Sequence, residues 1–186
     1  MNLTPREIVL ATIAEAGGTI QGRTLLQKRV YFLEILLGVY LGYRPHYYGP
    51  YSPLVDSALG ELQGLRFVEE HQRGFGTNED GFEVKRYDYE LTQDGQVIAR
   101  LLAERRGSDY QAVAQALRRL REAGDPDYLT LSVAAKTHYI LHCKGAPMTG
   151  DEIREVGGRL NWKISDTQLN EAVAFLARLG LVQQHS

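Results

Sequence analysis

Apolar residues recur every three or four positions along most of this chain. Leu26, Val30 and Leu33 form one such stripe, and residues with this spacing share one face of an α-helix. Three further segments show the same spacing: residues 54–62, 110–120 and 169–176. The pattern therefore predicts a mainly α-helical protein.

Capping signals mark where these helices should begin. In the motif Ser/Thr-x-x-Glu/Gln, two side chains satisfy two backbone N–H groups that a helix start leaves without partners. The motif occurs at residues 4–7, 108–111, 149–152 and 165–168. In addition, Ser52 and Pro53 are the residue types preferred at the cap and at the first position of a helix. We therefore expect a helix to start at each of these places.

A hairpin is the main β-structure that the sequence predicts. One strand should start at Phe67, and residues 82–91 alternate so that Tyr87, Tyr89 and Leu91 share a face. The turn formers in residues 73–81 predict the hairpin tip. Three helices followed by a hairpin, over residues 1–92, predict a winged helix-turn-helix with a small β-hairpin wing.

The C-terminal part repeats a piece of the N-terminal part. Residues 62–71 and 176–185 share the pattern Leu-x-x-Leu-x-apolar-Val-polar-polar-His, which indicates two related units. We therefore predict a winged-helix domain at 1–92, a helical linker at 93–127 and a second helix-turn-helix or winged-helix-like unit at 128–186. Leucines and a tyrosine opposite the arginines of the linker predict that it packs on a partner helix, in a possible homodimer.

Composition excludes several classes of protein. The 186 residues are 44% hydrophobic and 24% charged, which is ordinary for a globular protein. No apolar run approaches the ~20 residues of a membrane span, and the N-terminus lacks the features of a signal peptide. Cys143 is the single cysteine, so no internal disulfide can form. We expect a cytoplasmic protein without membrane contact.

Two motifs in the N-terminal half resemble a known family. Residues 26–32, Leu-Gln-Lys-Arg-Val-Tyr-Phe, and residues 46–52, His-Tyr-Tyr-Gly-Pro-Tyr-Ser, are similar to two motifs of the Panacea (SocA-like antitoxin) domains and of the YwgA-like bacterial proteins. The resemblance covers roughly residues 5–100. It implies a winged-helix-like fold and a place among regulators, antitoxins and adaptors, and it brings no catalytic residues.

Other chemical signals are weak. His138 and His142 lie four apart, as two metal ligands on a helix would, but no third ligand has a recognisable spacing. The tyrosines between residues 40 and 51 could stack on bases, although packing in the core is the commoner use of such a cluster. No triad, acid–base pair or phosphate-binding loop is found. We therefore expect no enzymatic activity, no metal and no cofactor.

The first functional hypothesis is a DNA-binding transcriptional regulator, since helix-turn-helix proteins place a recognition helix in the major groove of double-stranded DNA. The side-chain amides of Gln168 and Asn170 are the candidates for reading adenine bases. The candidate phosphate-contacting residues are Arg23, Lys28 and Arg29 in the first unit and Arg154, Arg159 and Lys163 in the second.

The alternative hypothesis is a protein-interaction module, an antitoxin or adaptor that binds no nucleic acid. The net charge of the chain is −2, and residues 69–90 carry seven acids against three lysines and arginines. The predicted third helix carries Asp56 and Glu61 and no cation. Phosphates would be repelled by this surface, so Asp56 and Glu61 are the candidate contacts to a protein partner.

Overall fold

The computed structural model describes residues 2–77, 83–124 and 127–183. Within these ranges the protein is mainly helical, as predicted, with eight helices and one three-stranded antiparallel sheet. The elements in chain order are α1 (Pro5–Glu15), β1 (Thr19–Gln21), α2 (Arg23–Leu37), α3 (Pro53–Gly64), β2 (Val68–Thr77), β3 (Glu83–Leu91), α4 (Gln93–Arg105), α5 (Gly107–Glu122), α6 (Tyr128–Lys144), α7 (Gly150–Arg159) and α8 (Asp166–Arg178). No helix in the described ranges combines the length and the apolarity needed to span a bilayer.

Most of the predicted helix starts are confirmed. Thr4, Thr149 and Ser165 each form both hydrogen bonds of a capping box, and the Ser52 hydroxyl accepts a hydrogen bond of 3.1 Å from the Val55 N–H at the start of α3. The predicted start at Ser108 is wrong. Helix α5 begins one residue earlier and has no side-chain cap, because its start follows directly from the end of α4.

The sheet contains a strand that the sequence pattern did not indicate. Strand β1 pairs with β3, with Ile20 opposite Tyr89, and β3 lies between β1 and β2. The predicted turn region is too long, since residues 73–77 belong to β2; residues 78–82 lie outside the described part of the chain. Tyr89 is buried in the core, whereas Tyr87 is 41% exposed.

The core is built around α1, which packs against α2, α3, α4 and α5. The apolar face of α5, including Tyr110 and Leu117, is buried in this core. That face was expected to pack on a partner helix, and within the chain it packs on α1, α2 and α4 instead. The homodimer stays a prediction. Helix α6 packs against α2 on one side and against α7 and α8 on the other, so one continuous core reaches from α1 to α8.

Candidate functional site

The first motif of the sequence, in α2, holds the loop between α2 and α3, residues 38–52. Gln27 donates a hydrogen bond of 3.0 Å to the carbonyl oxygen of Ser52 and accepts one of 3.0 Å from the Ser52 N–H. One residue later, Lys28 Nζ donates to the carbonyl oxygen of Pro50 over 2.5 Å. Lys28 is only 2% exposed, so it cannot contact a phosphate at the surface. Its assignment to nucleic-acid binding is therefore wrong.

Lys28 shares its surroundings with a second lysine. Burial, with a smaller contribution from the charge of Lys136, lowers the pKa of Lys28 to about 7; burial also lowers the pKa of Lys136. Gly49 lies against both, since a Cβ built on it would be 3.0 Å from a carbon of Lys136 and 3.4 Å from one of Lys28. The two lysines therefore enclose the turn at Gly49, which has a φ of +98°.

Residues of the C-terminal half hold the same loop from the other side. The Ser132 hydroxyl donates to the carbonyl oxygen of Tyr48 over 3.1 Å, and the Trp162 indole N–H donates to that of His46 over 2.7 Å. The loop thus lies between α2, α6 and the turn after α7. The loop at residues 38–52, which contains the second motif, therefore joins the N-terminal and C-terminal halves of the chain, and we call it the junction. The local sequence does not reveal this role, because Ser132 and Trp162 lie about a hundred residues away.

His138 takes part in this junction. Its Nδ1 lies 2.9 Å from the Tyr31 hydroxyl, and its ring stacks on His142 at 5.9 Å. Burial, with a smaller contribution from His142, lowers the pKa of His138 to about 4. No group of three or more His, Cys, Asp or Glu side chains in the described ranges is arranged to hold a metal ion. The neutral imidazole is suited to pairing with Tyr31.

The tyrosine cluster divides into two groups. Tyr43 packs against the core and donates a hydrogen bond of 2.6 Å to the Gln27 carbonyl oxygen. Tyr40, Tyr47 and Tyr48 are 84%, 67% and 61% exposed. Core packing, the interpretation favoured from the sequence, therefore holds for Tyr43 and is wrong for these three.

Tyr47 stands at the edge of an open groove of ≈ 770 Å³. Arg154 from α7, Trp162 and Lys163 from the turn, and Gln168 from α8 line the same groove; we call it the α7–α8 groove. Three of the predicted nucleic-acid-binding residues thus meet in one place. Helix α8 begins there, and its capped N-terminus carries the positive end of the helix dipole.

The side chains that line the groove differ in whether they already have an ion-pair or hydrogen-bond partner within the chain. Arg154 forms ion pairs with Asp151 and with Asp166, and the Gln168 side-chain oxygen accepts a hydrogen bond of 3.1 Å from the Ser165 N–H. Gln168 is therefore engaged as a cap and has only its NH₂ group left for a base. Lys163 is exposed. It is the groove cation that forms no ion pair within the described residues.

Two predicted residues of the second unit lie outside the lining of the groove. Arg159 is 72% exposed and pairs with Glu155 at 2.5 Å, one turn earlier on α7. Asn170 is exposed on α8. Both side chains are exposed to solvent, whereas that of Lys28 is buried.

The first-unit residues do not join this groove. Arg23 forms ion pairs with Asp56 at 3.2 Å and Glu70 at 3.9 Å, and it donates a hydrogen bond of 3.1 Å to the Tyr89 hydroxyl. Arg29 is half-buried on α2. The acids of α3 are also matched, because Glu61 lies 3.3 Å from Arg6. The negative charge of Asp56 and Glu61 is thus already balanced within the chain.

Comparison with protein-family models gives no match, and comparison with curated proteins gives none. Function is therefore inferred from the groove. Its exposed tyrosine, unpaired lysine and amide can contact a phosphate and the edge or face of a base.

Proposed function

We propose that the protein is a non-enzymatic cytoplasmic regulator that binds duplex DNA through the turn between α7 and α8. The observation that carries the proposal is the convergence of Arg154, Lys163 and Gln168 on the α7–α8 groove. Phosphate contacts by cations supply most of the affinity of such proteins. A lysine in the turn before a helix, with an exposed amide on that helix, suits this mode of binding.

The arrangement of the first 91 residues supports a winged-helix relationship. The order is helix, strand, helix, helix and hairpin, and the short first strand pairs with the last. On this basis we extend the proposal to the Panacea (SocA-like antitoxin) resemblance. The α2–α3 connection, residues 38–52, is much longer than the 3–4-residue turn of a helix-turn-helix, so α3 is not proposed as the recognition helix.

The charges favour the second unit. Helix α3 exposes Leu54, Ser57 and Glu61 and has no cation of its own, whereas residues 160–165 between α7 and α8 carry Lys163. Asn170 is exposed about one turn into α8. The amide of Asn170 can therefore reach a base edge while Lys163 contacts the backbone.

A titration of labelled duplex DNA at two salt concentrations tests the proposal. Lys163→Ala and Arg159→Ala should each weaken binding to all sequences and reduce the salt slope by about one. Asn170→Ala should instead relax specificity, at a cost of about 1–3 kcal/mol for one base pair. Lys144→Ala, an exposed lysine at the end of α6, is the matched control and should bind like the wild type.

Two results would overturn this function. The first is the absence of duplex binding at low salt. The second is an equal loss of affinity in Lys144→Ala and Lys163→Ala, which would show diffuse attraction and no specific surface. In both cases the second candidate function, a protein-interaction module such as an antitoxin or adaptor, would take its place. Asp56 and Glu61 would then be poor candidate contacts, because each already has an arginine partner.

A further inference from the structure

A second groove lies between α1, α4 and the end of α3, and no part of the DNA proposal uses it. Its volume is ≈ 350 Å³, and its floor is formed by Leu10, Leu62 and Leu102, which are all buried. We call it the leucine groove. Helices α7 and α8 pack on α6, whereas α3 and α4 each pack on α1, so the two grooves belong to different parts of the fold.

The sides of the leucine groove expose apolar side chains to solvent. Leu65, just after α3, is 50% exposed and Leu101 on α4 is 36% exposed. Val97, one turn before Leu101 on α4, is 40% exposed. Isolated exposed leucines are common, but a group of them around an apolar floor is typical of an interaction site.

The ends of the leucine groove are positively charged. Arg6, Arg105 and Arg106 line it together with a single acid, Glu7. The Glu7 carboxylate is already engaged, since it accepts hydrogen bonds of 2.7 Å and 2.9 Å from Thr4. Arg6 pairs with Glu61. Arg105 and Arg106 form no ion pair within the described residues, which leaves two uncompensated cations beside the apolar surface.

We propose that the leucine groove binds an acidic amphipathic helix of a protein partner. Such a helix would lay leucine-like side chains, three or four positions apart, along Leu65 and Leu101. Its flanking carboxylates would pair with Arg105 and Arg106, which requires negative charge on the partner. Nucleic acid would meet the same cations, but it has no apolar face to cover the exposed leucines.

This inference goes beyond DNA binding and does not depend on it. The groove walls are supplied by α1, the α3 end and α4, and none of the residues assigned to DNA contacts lines them. A partner in the leucine groove would therefore leave Lys163 and Asn170 accessible. The protein could accordingly hold a protein partner and a duplex at the same time.

The test measures binding of two synthetic peptides to the full chain by fluorescence anisotropy. One peptide is a Leu/Glu amphipathic helix and the other is its Leu/Lys counterpart. The Leu/Glu peptide should bind, and the double variant Arg105→Glu, Arg106→Glu should weaken it by about tenfold or more while gaining affinity for the Leu/Lys peptide. Leu101→Asp should weaken the Leu/Glu peptide, because it places a negative charge on the apolar wall.

Matched controls are Leu54→Asp, an exposed leucine elsewhere on α3, and Arg118→Glu, an exposed arginine on α5. All the substituted side chains are exposed, so thermal unfolding should change little, and duplex affinity should stay at the wild-type value. The proposal is overturned if the Leu/Glu peptide does not bind, if the double variant binds it like the wild type, or if Leu54→Asp weakens it as much as Leu101→Asp. Displacement of the peptide by anionic phosphatidylglycerol vesicles would also overturn it, in favour of a lipid surface.

Discussion

The side-chain amide of Gln27 pairs with both backbone polar groups of Ser52, and both residues are buried. An amide offers one donor and one acceptor side by side, as a neighbouring β-strand would. The Ser52 hydroxyl caps α3 by accepting from Val55 and donates to the carbonyl oxygen of Leu41. Ser52 therefore fixes the end of the loop and the start of the helix together.

Replacing Gln27 with leucine should destabilise the protein by about 1–3 kcal/mol, because it leaves the buried N–H of Ser52 without a partner. The Ser52 carbonyl oxygen loses one of its two donors and keeps the Asp56 N–H at 3.1 Å. Urea unfolding followed by circular dichroism measures the effect. Gln115→Leu, an exposed glutamine on α5, is the matched control and should cost far less. Equal losses in the two variants would contradict the role assigned to Gln27.

Lys28 should make the stability of the protein depend on pH. Its pKa is about 7 in the folded chain and 10.5 when unperturbed, so between these values the unfolded chain binds a proton that the folded chain has released. Stability therefore rises as the pH increases through this window. Lys28→Met does not titrate and should lack this part of the rise; the loss of the donor to the Pro50 carbonyl oxygen should lower its stability equally at every pH.

The measurement for Lys28 is the free energy of unfolding of wild type and Lys28→Met across that pH window, with Lys144→Met as the exposed-lysine control. Taking the difference between the two curves removes the contributions of the other titrating groups. A constant difference at all pH values would show that the ammonium of Lys28 is not the group responsible.

His138 should contribute to acid destabilisation. Its pKa falls from 6.5 to about 4 on folding. Between these pH values the unfolded chain therefore binds a proton at this histidine that the folded chain does not bind. Stability is therefore lost as the pH falls from 6.5 towards 4. His138→Gln keeps an acceptor for the Tyr31 hydroxyl and does not titrate, so its stability curve should be flatter there. His46→Gln, at an exposed site, should retain the wild-type slope.

Gly95 should not tolerate a side chain. A Cβ built on it overlaps the carbonyl oxygen of Phe67, which also accepts a hydrogen bond of 3.1 Å from the Thr92 N–H. Gly95→Ala should lower the melting temperature because α4 must move away from the chain at Phe67. Gly60→Ala on α3, where a Cβ would meet nothing within 4 Å, should instead raise it, with a gain of about 0.5–1 kcal/mol.

Local signals in the sequence were sufficient for most of the fold. Thr4, Ser52, Thr149 and Ser165 predicted helix starts because a cap depends on residues within one turn of each other. Strand β1 was missed because three residues are too few to show a period. Its existence depends on β3, about 70 positions later.

The site was predicted less well, because exposure depends on tertiary contacts. Lys28 was assigned to DNA by its type and its neighbour Arg29, and nothing within that helix indicates the carbonyl of Pro50 that binds it. The apolar face of α5 was predicted correctly. The sequence pattern does not distinguish, however, between a face that packs on a second copy of the chain and one that packs on other helices of the same chain. Lys163 and Gln168 both line the α7–α8 groove, and their proximity could be predicted because they flank a helix start, which is again a local signal.

The junction at residues 38–52 has a consequence for synthesis on the ribosome. Its partners Ser132 and Trp162 are translated long after the loop, and at 5–20 residues per second the delay to Trp162 is about 5–20 s. Until then the loop lacks one side of its enclosure, and the Lys28 ammonium stays closer to water. In the nascent chain this loop is therefore expected to become fixed only after α6 and the turn after α7 have emerged, later than the contacts among α1 to α5 can form.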